Sequence, residues 1–314
     1  MLDWQSAEEE GGEAPAKRES RDSLHVVASR IPVRARIVRI WVYRALLLSL
    51  VRKELSVKYK NSVLGFAWSM LNPALTLVVY YVVFQIVFKN GIPQFAIFLL
   101  CGLVIWNFFS ASLTGATSSV VANAGIVKKV AFPREVLPLA SVGSSLVFLF
   151  LQTIVLVIAL AIGRDVPAFT YLPLLIPALI DLVLLASALA IFLAAVNVYY
   201  RDTQHLLEIL LMAWFWATPV VYAYEVLAAP LGRHHIGWAF FVNPVTAIVI
   251  TFQRILYAKV SPVVAGGAVM KILPSNSPAW YLGQLAIVFV VSAVLFVLAL
   301  MVFGRIEGNF AEEL

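Results

Sequence analysis

Residues 49–73 read SLVRKELSVKYKNSVLGFAWSMLNP, and within them a basic helical segment runs straight into an uncharged apolar stretch. On a helical wheel Ser49, Arg52, Lys53, Ser56 and Lys60 share one side, while Leu46, Leu47, Leu50, Val51 and Leu55 occupy much of the other. Glu54 and Lys58 interrupt the apolar side, but they stand four apart with the acid first, a spacing at which the pair gains a few tenths of a kcal/mol. Two readings fit this segment. It is an amphipathic helix lying at a membrane surface, or a positive anchor that holds its side of the first span inside.

The rest of the chain agrees that the solvent is lipid. Of 314 residues 62% are hydrophobic and only 13% charged, with a mean hydropathy of +0.92, which excludes an ordinary water-soluble globule. The net charge of +6 is not a nucleic-acid footprint, because about half of the Lys and Arg residues precede residue 61, just before apolar spans. The single cysteine, Cys101, lies in an apolar run and reads as a packing residue. Residues 1–30 have no apolar periodicity and are expected to be a disordered tail, followed by an interface segment over 31–62. No apolar segment follows the first charges closely enough to suggest a signal peptide.

Six spans are expected: Val63–Phe88, with a kink at Pro73, then Phe95–Ala122, Leu137–Ile162, Phe169–Val198, Leu206–Tyr224 and Trp280–Phe303. The apolar stretch 237–253 is short and broken by Asn243 and Pro244, so it reads as two half-helices. With that parity seventeen of the 23 Lys and Arg residues fall on one side, which is then cytoplasmic and holds both termini. A seventh span at 237–253 is not excluded by charge. Asp181 is the only charge in the fourth span and is placed to reach the interface or a water-filled cavity. Glu208 is placed to pair with His205 or Arg201.

Chemistry is scarce. The sequence has no GxxxxGK[ST] phosphate loop, no HExxH and no cysteine cluster, and the adjacent His234 and His235 have no further ligands beside them. What stands out is aromatic placement. Tyr80, Phe84 and Phe88 recur every fourth residue with Tyr81 alongside, and Phe215 and Tyr222 are expected on one face with Trp214, Trp216 and Tyr224 adding bulk. Such a face suits stacking against sugar rings, and equally an interfacial aromatic belt.

Five blocks carry a family resemblance: RKELSVKYKNSVLGFAWSMLNP (52–73), IVKKVAFPREVLPLA (126–140), NVYYRDTQHLLEILLMAWFWATPVVY (197–222), NPVTAIVITFQRILY (243–257) and FGRIEGNFAEEL (303–314). In content and order they resemble the ABC-2 type permeases that export cell-surface polysaccharide, the O-antigen and teichoic acid exporters. The resemblance implies an all-α integral membrane protein of the inner membrane, six-spanned, with an N-terminal amphipathic interface helix and a re-entrant helical pair before the last span. It implies a transmembrane domain over 63–304, a short cytoplasmic tail over 305–314, and a homodimer with its conduit between the copies. A separate ABC ATPase would bind the ATP and Mg, so this chain needs no cofactor and is not an enzyme.

The resemblance also assigns roles. Lys128, Lys129, Phe132, Pro133, Arg134 and Glu135, within a coupling loop over 123–136, would seat on the ATPase, with Phe132 and Pro133 as an apolar knob. Arg201 and Asp202 would stand at the cytoplasmic mouth, where Arg52, Lys53, Lys58 and Lys60 also have the charge to meet the pyrophosphate of a lipid-linked glycan. From their own placement Tyr80, Tyr81, Phe84, Trp214, Phe215, Trp216 and Tyr222 are expected to line the conduit, and by the resemblance residues 237–257, with Asn243 and Pro244 at their break, would form the outer gate. The competing functions are export of a drug or small lipid by the same kind of permease, and an intramembrane glycosyl- or phosphotransferase. The latter needs acidic residues gathered at the membrane face, and Asp181, Asp202 and Glu208 are dispersed.

Overall fold

The computed structural model describes residues 32–59, 68–226, 241–262 and 269–314. The tail expected over 1–30, Lys60, His234, His235 and the first part of the 237–257 half-helix pair lie outside them. The described chain is helical almost throughout. Helices α1 (Val33–Val42) and α2 (Arg44–Tyr59) precede α3 (Trp68–Tyr80), which continues as a π-helical stretch over Tyr81–Val87. Next come α4 (Phe95–Ala122), the single turn α5 (Ala124–Val127) and α6 (Val136–Gly163). A 3₁₀ turn over Phe169–Leu174 opens α7 (Leu175–Tyr199). Then follow α8 (Thr203–Trp216), α9 (Pro244–Leu256), α10 (Pro278–Ile306) and, after the 3₁₀ turn Glu307–Asn309, the single turn α11 (Phe310–Glu313).

Among the described residues four helical stretches are long and apolar enough to cross a membrane: Phe95–Ala122, Val136–Gly163, Phe169–Tyr199 and Pro278–Asn309. They coincide with four of the six spans read from the sequence. The other two differ from expectation. The first keeps Pro73 inside α3 and departs from α geometry further on, where the Phe88 amide donates to the Val83 carbonyl across a π-type turn. The fifth stops at Trp216 instead of Tyr224. Pro219 has no amide to continue the ladder and its ring crowds the turn before it, while the Thr218 hydroxyl takes the Trp214 carbonyl instead.

Helix α4 is the axis of the molecule, packed on α6, α7, α8 and α9. Its most apolar stretch is 78% buried, against 17% for that of α6, whose first half is mostly buried while its second half exposes Phe150, Ile154, Val157, Ile158 and Ile162. Two positions let the chain come close to this frame. A Cβ at Gly102 of α4 would lie 3.0 Å from Val220, and one at Gly143 of α6 would lie 2.9 Å from the Val51 side chain of α2. Leu50 and Val51 are buried while Arg52 and Lys53 are exposed, so α2 lies on α6 by the apolar side expected of it. Helix α9 is buried on nearly every side, and its 13 residues rise only about 20 Å.

The two ends of the bundle are tied differently. At one end the Tyr257 hydroxyl donates to the Pro93 carbonyl, Gln94 donates to the Gly163 carbonyl, and Lys259 pairs with Asp165 at 2.9 Å. The other end gathers α1, the 123–136 loop, the end of α7 and the C-terminal residues. Its apolar cluster includes Phe132, Val136, Val198, Phe303 and Phe310.

Candidate functional site

At this second end four charged side chains from three segments meet. Arg36 of α1 forks between two carboxylates: one guanidinium nitrogen donates to Glu135, at the start of α6, and another to Glu307 at 2.5 Å, past the end of α10. Arg134 completes the ring by donating to the Glu307 carbonyl, and its guanidinium lies 5.7 Å from the centre of the Phe310 ring. Arg36 is 7% exposed and Glu135 2%. Burial opposes the Arg36 charge, but Glu307 and Glu135 outweigh it and hold the guanidinium pKa above its ordinary value. Gly304 leaves the space for this fork, since a Cβ there would run into the guanidinium. A buried, hydrogen-bonded pair of this kind is costly to break, about 3–5 kcal/mol when one partner is removed, because the other is left charged and dry.

The loop that enters this knot therefore has two sides. Lys128, Lys129, Val130 and Ala131 face outward, with Ile126 beside them. Phe132 and Pro133 were expected as an exposed apolar knob, and both are buried: Phe132 is 9% exposed and packs in the apolar cluster with Phe303 and Phe310. An aromatic ring flanked by a desolvated Glu–Arg pair gains more from filling the protein's own interior than from waiting in water. A cleft of about 240 Å³ opens beside the loop between Arg36, Arg39, Phe132 and Glu307.

The cations read as one mouth occupy two places. Lys53 donates to the Asn123 side chain at 2.9 Å, and the Lys58 ammonium stands 4.5 Å from the centre of the Phe148 ring. They border a groove of about 400 Å³ between α2, α4 and α6, lined also by Ser118, Ser144 and Ser145. Glu54, expected to serve Lys58, accepts hydrogen bonds from Ser141 and Ser144 at 2.8 Å each, so it also fastens α2 to α6. The groove wall desolvates the Lys58 ammonium and lowers its pKa, with Glu54 pulling the other way. Arg52 is exposed on the same helix. Arg201 and Asp202 instead border a separate cleft of about 710 Å³ with Tyr199, Tyr200 and Glu313. Close by, His205 pairs with Glu208 at 4.0 Å, one of the two partners expected for it.

Of the seven aromatic residues singled out, four meet. Tyr80 stacks on Phe215 at 5.8 Å, Phe84 lies 6.2 Å from Tyr80 and 6.5 Å from Trp216, and Phe215 lies 5.5 Å from Trp216. Within this group Phe215 is a core residue, packed also against Trp106 of α4 at 5.4 Å, while Trp216 keeps an exposed face. Tyr81 is exposed on the neighbouring strip of the π-helical stretch. Tyr222 does not share a helical face with Phe215, because α8 has already ended; its hydroxyl folds back to donate to the Trp216 carbonyl at 2.8 Å. Trp214 points inward to Phe109, and its indole donates to Asn243 at 2.8 Å.

Asn243 is a junction. Its side-chain oxygen accepts from Trp214 and from the Val245 amide, which caps α9, while its nitrogen donates to Thr218 at 2.9 Å. Pro244 occupies the first turn of α9, where a missing amide costs nothing. Asp181 is 1% exposed in the subunit, on the α7 face that also buries Ala178, Leu182 and Leu185.

The sequence reading missed Arg36 and Glu307. The available signal was the spacing of Arg36 on a helix whose other cations alternate with Ile and Val, but its partners stand 99 and 271 residues away. No periodicity links such positions.

The geometry just described lies in a chain with known relatives. The family model described as ABC-2 type transporter matches residues 45–257. An O-antigen export system permease protein, RfbA, of Myxococcus xanthus is 37% identical over 71% of this chain and 84% of its own length. Two permeases of the same name from Klebsiella pneumoniae are each 28% identical over 86% of this chain and 95% of their own length. With the model match covering more than half of its residues, the chain belongs to the ABC-2 type transporter family.

Proposed function

We propose that the protein is the permease subunit of an ATP-driven exporter that moves a lipid-linked cell-surface polysaccharide across the cytoplasmic membrane. The observation that carries this reading is the likeness, over 71–86% of the chain, to permeases named for O-antigen export. In it the subunit has six spans: the four long helices, α3 with its π-helical continuation, and α8. Helix α9 is the second limb of a re-entrant pair, a role supported by the Asn243–Pro244 break at its start and by its burial against α4 and α7. The N-terminal helices α1 and α2 lie along the cytoplasmic surface, and the exposed Trp41 of α1 is suited to the headgroup layer.

Two copies form the exporter, with the conduit between them and the exposed aromatics Tyr81 and Trp216 the first to meet sugar rings. A separate ABC ATPase binds ATP and Mg and docks on the outward side of the 123–136 loop through Lys128 and Lys129. Arg134 and Glu135, by contrast, hold the loop to its own subunit. The pyrophosphate of the substrate is drawn to the cytoplasmic end by Arg52, Lys53 and Lys58, or by Arg201. Affinity purification from native membranes tests the assembly: an ABC ATPase should co-purify with this chain in equal amount, and a preparation free of any ATPase would overturn the reading.

A further inference from the structure

Helix α1 is attached to the rest of the molecule in an unusual way. Among its ten residues Arg36 alone is buried. Ile37, Val38, Trp41 and Val42 are exposed, as are Arg34 and Arg39. An amphipathic helix normally docks by its apolar stripe; this one turns apolar residues outward and is pinned by a charge.

The pin joins three segments. Through Glu135 it holds the inner side of the 128–135 loop, and through Glu307 it holds the end of α10. Arg134 ties loop and α10 end a second time, and Phe132 packs with Phe303 and Phe310 in one apolar cluster. The planar guanidinium presents its donors in a fixed fork that meets two carboxylates from two segments at once, whereas an ammonium is a compact charge on a flexible stem. Both Arg36 and Glu135 are dry, so the link is short and stiff rather than a screened surface contact. The opposite side of the loop, Lys128 to Ala131, is left open.

We propose that Arg36 is a positioning residue that makes α1, the 128–135 loop and the C-terminal end of α10 move as one body, so that a push on the loop's open side is delivered to the membrane-surface helix and the last span together. This rests on the reading that a partner ATPase supplies the push. The knot is then the point at which force entering at the loop divides between two elements, and loss of Arg36 frees α1 while leaving the docking side intact.

The test uses spin labels on the full-length permease in lipid nanodiscs, one at Val38→Cys on α1 and one at Val130→Cys on the loop, both at exposed positions. The native Cys101 is buried and stays unlabelled, and dilution with unlabelled copies removes distances between copies. In the permease alone the wild-type distance should be single and narrow, and Arg36→Gln should broaden it; an unchanged distribution in Arg36→Gln would overturn the proposal. This arm does not involve the ATPase. In the complex, a non-hydrolysable ATP analogue should shift Val38 relative to a label at Ile180→Cys on α7 while the Val38–Val130 distance holds. Absence of any nucleotide response in the wild type would overturn the ATPase reading and leave the first arm standing. Arg36→Gln should keep ATP hydrolysis and lose export by about tenfold, and wild-type export in that variant would count against the proposal. Should Arg36→Gln fail to fold, Glu307→Gln combined with Arg134→Gln retains the Arg36–Glu135 link while removing both polar ties to the end of α10. It should keep the Val38–Val130 distance narrow and release α10 alone, read as a changed distance from Val130 to a label at Leu298→Cys; no change there would overturn the proposal.

Discussion

Single side chains decide more here than composition suggests. Arg36→Gln leaves Glu135 buried without its cation and should destabilise the subunit by about 3–5 kcal/mol, read as a lowered melting temperature in detergent. Arg36→Lys should recover part of this, since an ammonium restores the charge but not the fixed fork that reaches both carboxylates. Gly304→Ala inserts a methyl group into the guanidinium's place and should cost about 1–3 kcal/mol in the same assay, though it changes no charge. Asn243→Ala removes the cap of α9 and its bonds to Trp214 and Thr218, so a loss of about 1 kcal/mol from the cap alone is expected. Restoring Asn243→Ser should return part of that.

The elements differ in how much of them a local pattern could reveal. The four long helices were legible to within a few residues, because an uncharged run of that length has one stable fate in lipid. Phe95–Ala122 was read with the bounds it has. The end of α8 was misread because apolar residues continue past Trp216 while Pro219 and Thr218 redirect the backbone, and hydropathy records the first fact and not the second. The π-helical stretch was not legible at all, since Tyr81–Val87 has no proline or glycine to mark it. In the 123–136 loop, charge and aromaticity drew attention to the right residues but could not say which way they point. Phe132, Pro133, Arg134 and Glu135 are held inward, and Lys128 and Lys129 are left at the surface. That division has a measurable consequence. Lys128→Glu with Lys129→Glu should weaken co-purification of the ATPase while the melting temperature of the permease stays put, whereas Arg134→Glu should lower both.

At the scale of the molecule, α4 serves as a buried axis and the second half of α6 turns apolar side chains outward. The two ends are fastened by different chemistry: hydroxyl and amide bonds to backbone carbonyls plus one ion pair at the end holding Tyr257, and a charged knot over an apolar cluster at the end holding the loop. That asymmetry suits a machine driven from one side. The cations gathered near the end holding the loop, together with aromatics exposed along the bundle, fit the proposed substrate with its pyrophosphate head and sugar body. The most direct measurement is to deplete the protein in its native cell and quantify lipid-linked glycan on each face of the cytoplasmic membrane. Export by this permease requires the glycan to accumulate on the cytoplasmic face and to disappear from the cell surface, with recovery on re-expression. Normal surface glycan and no cytoplasmic accumulation after depletion would contradict it.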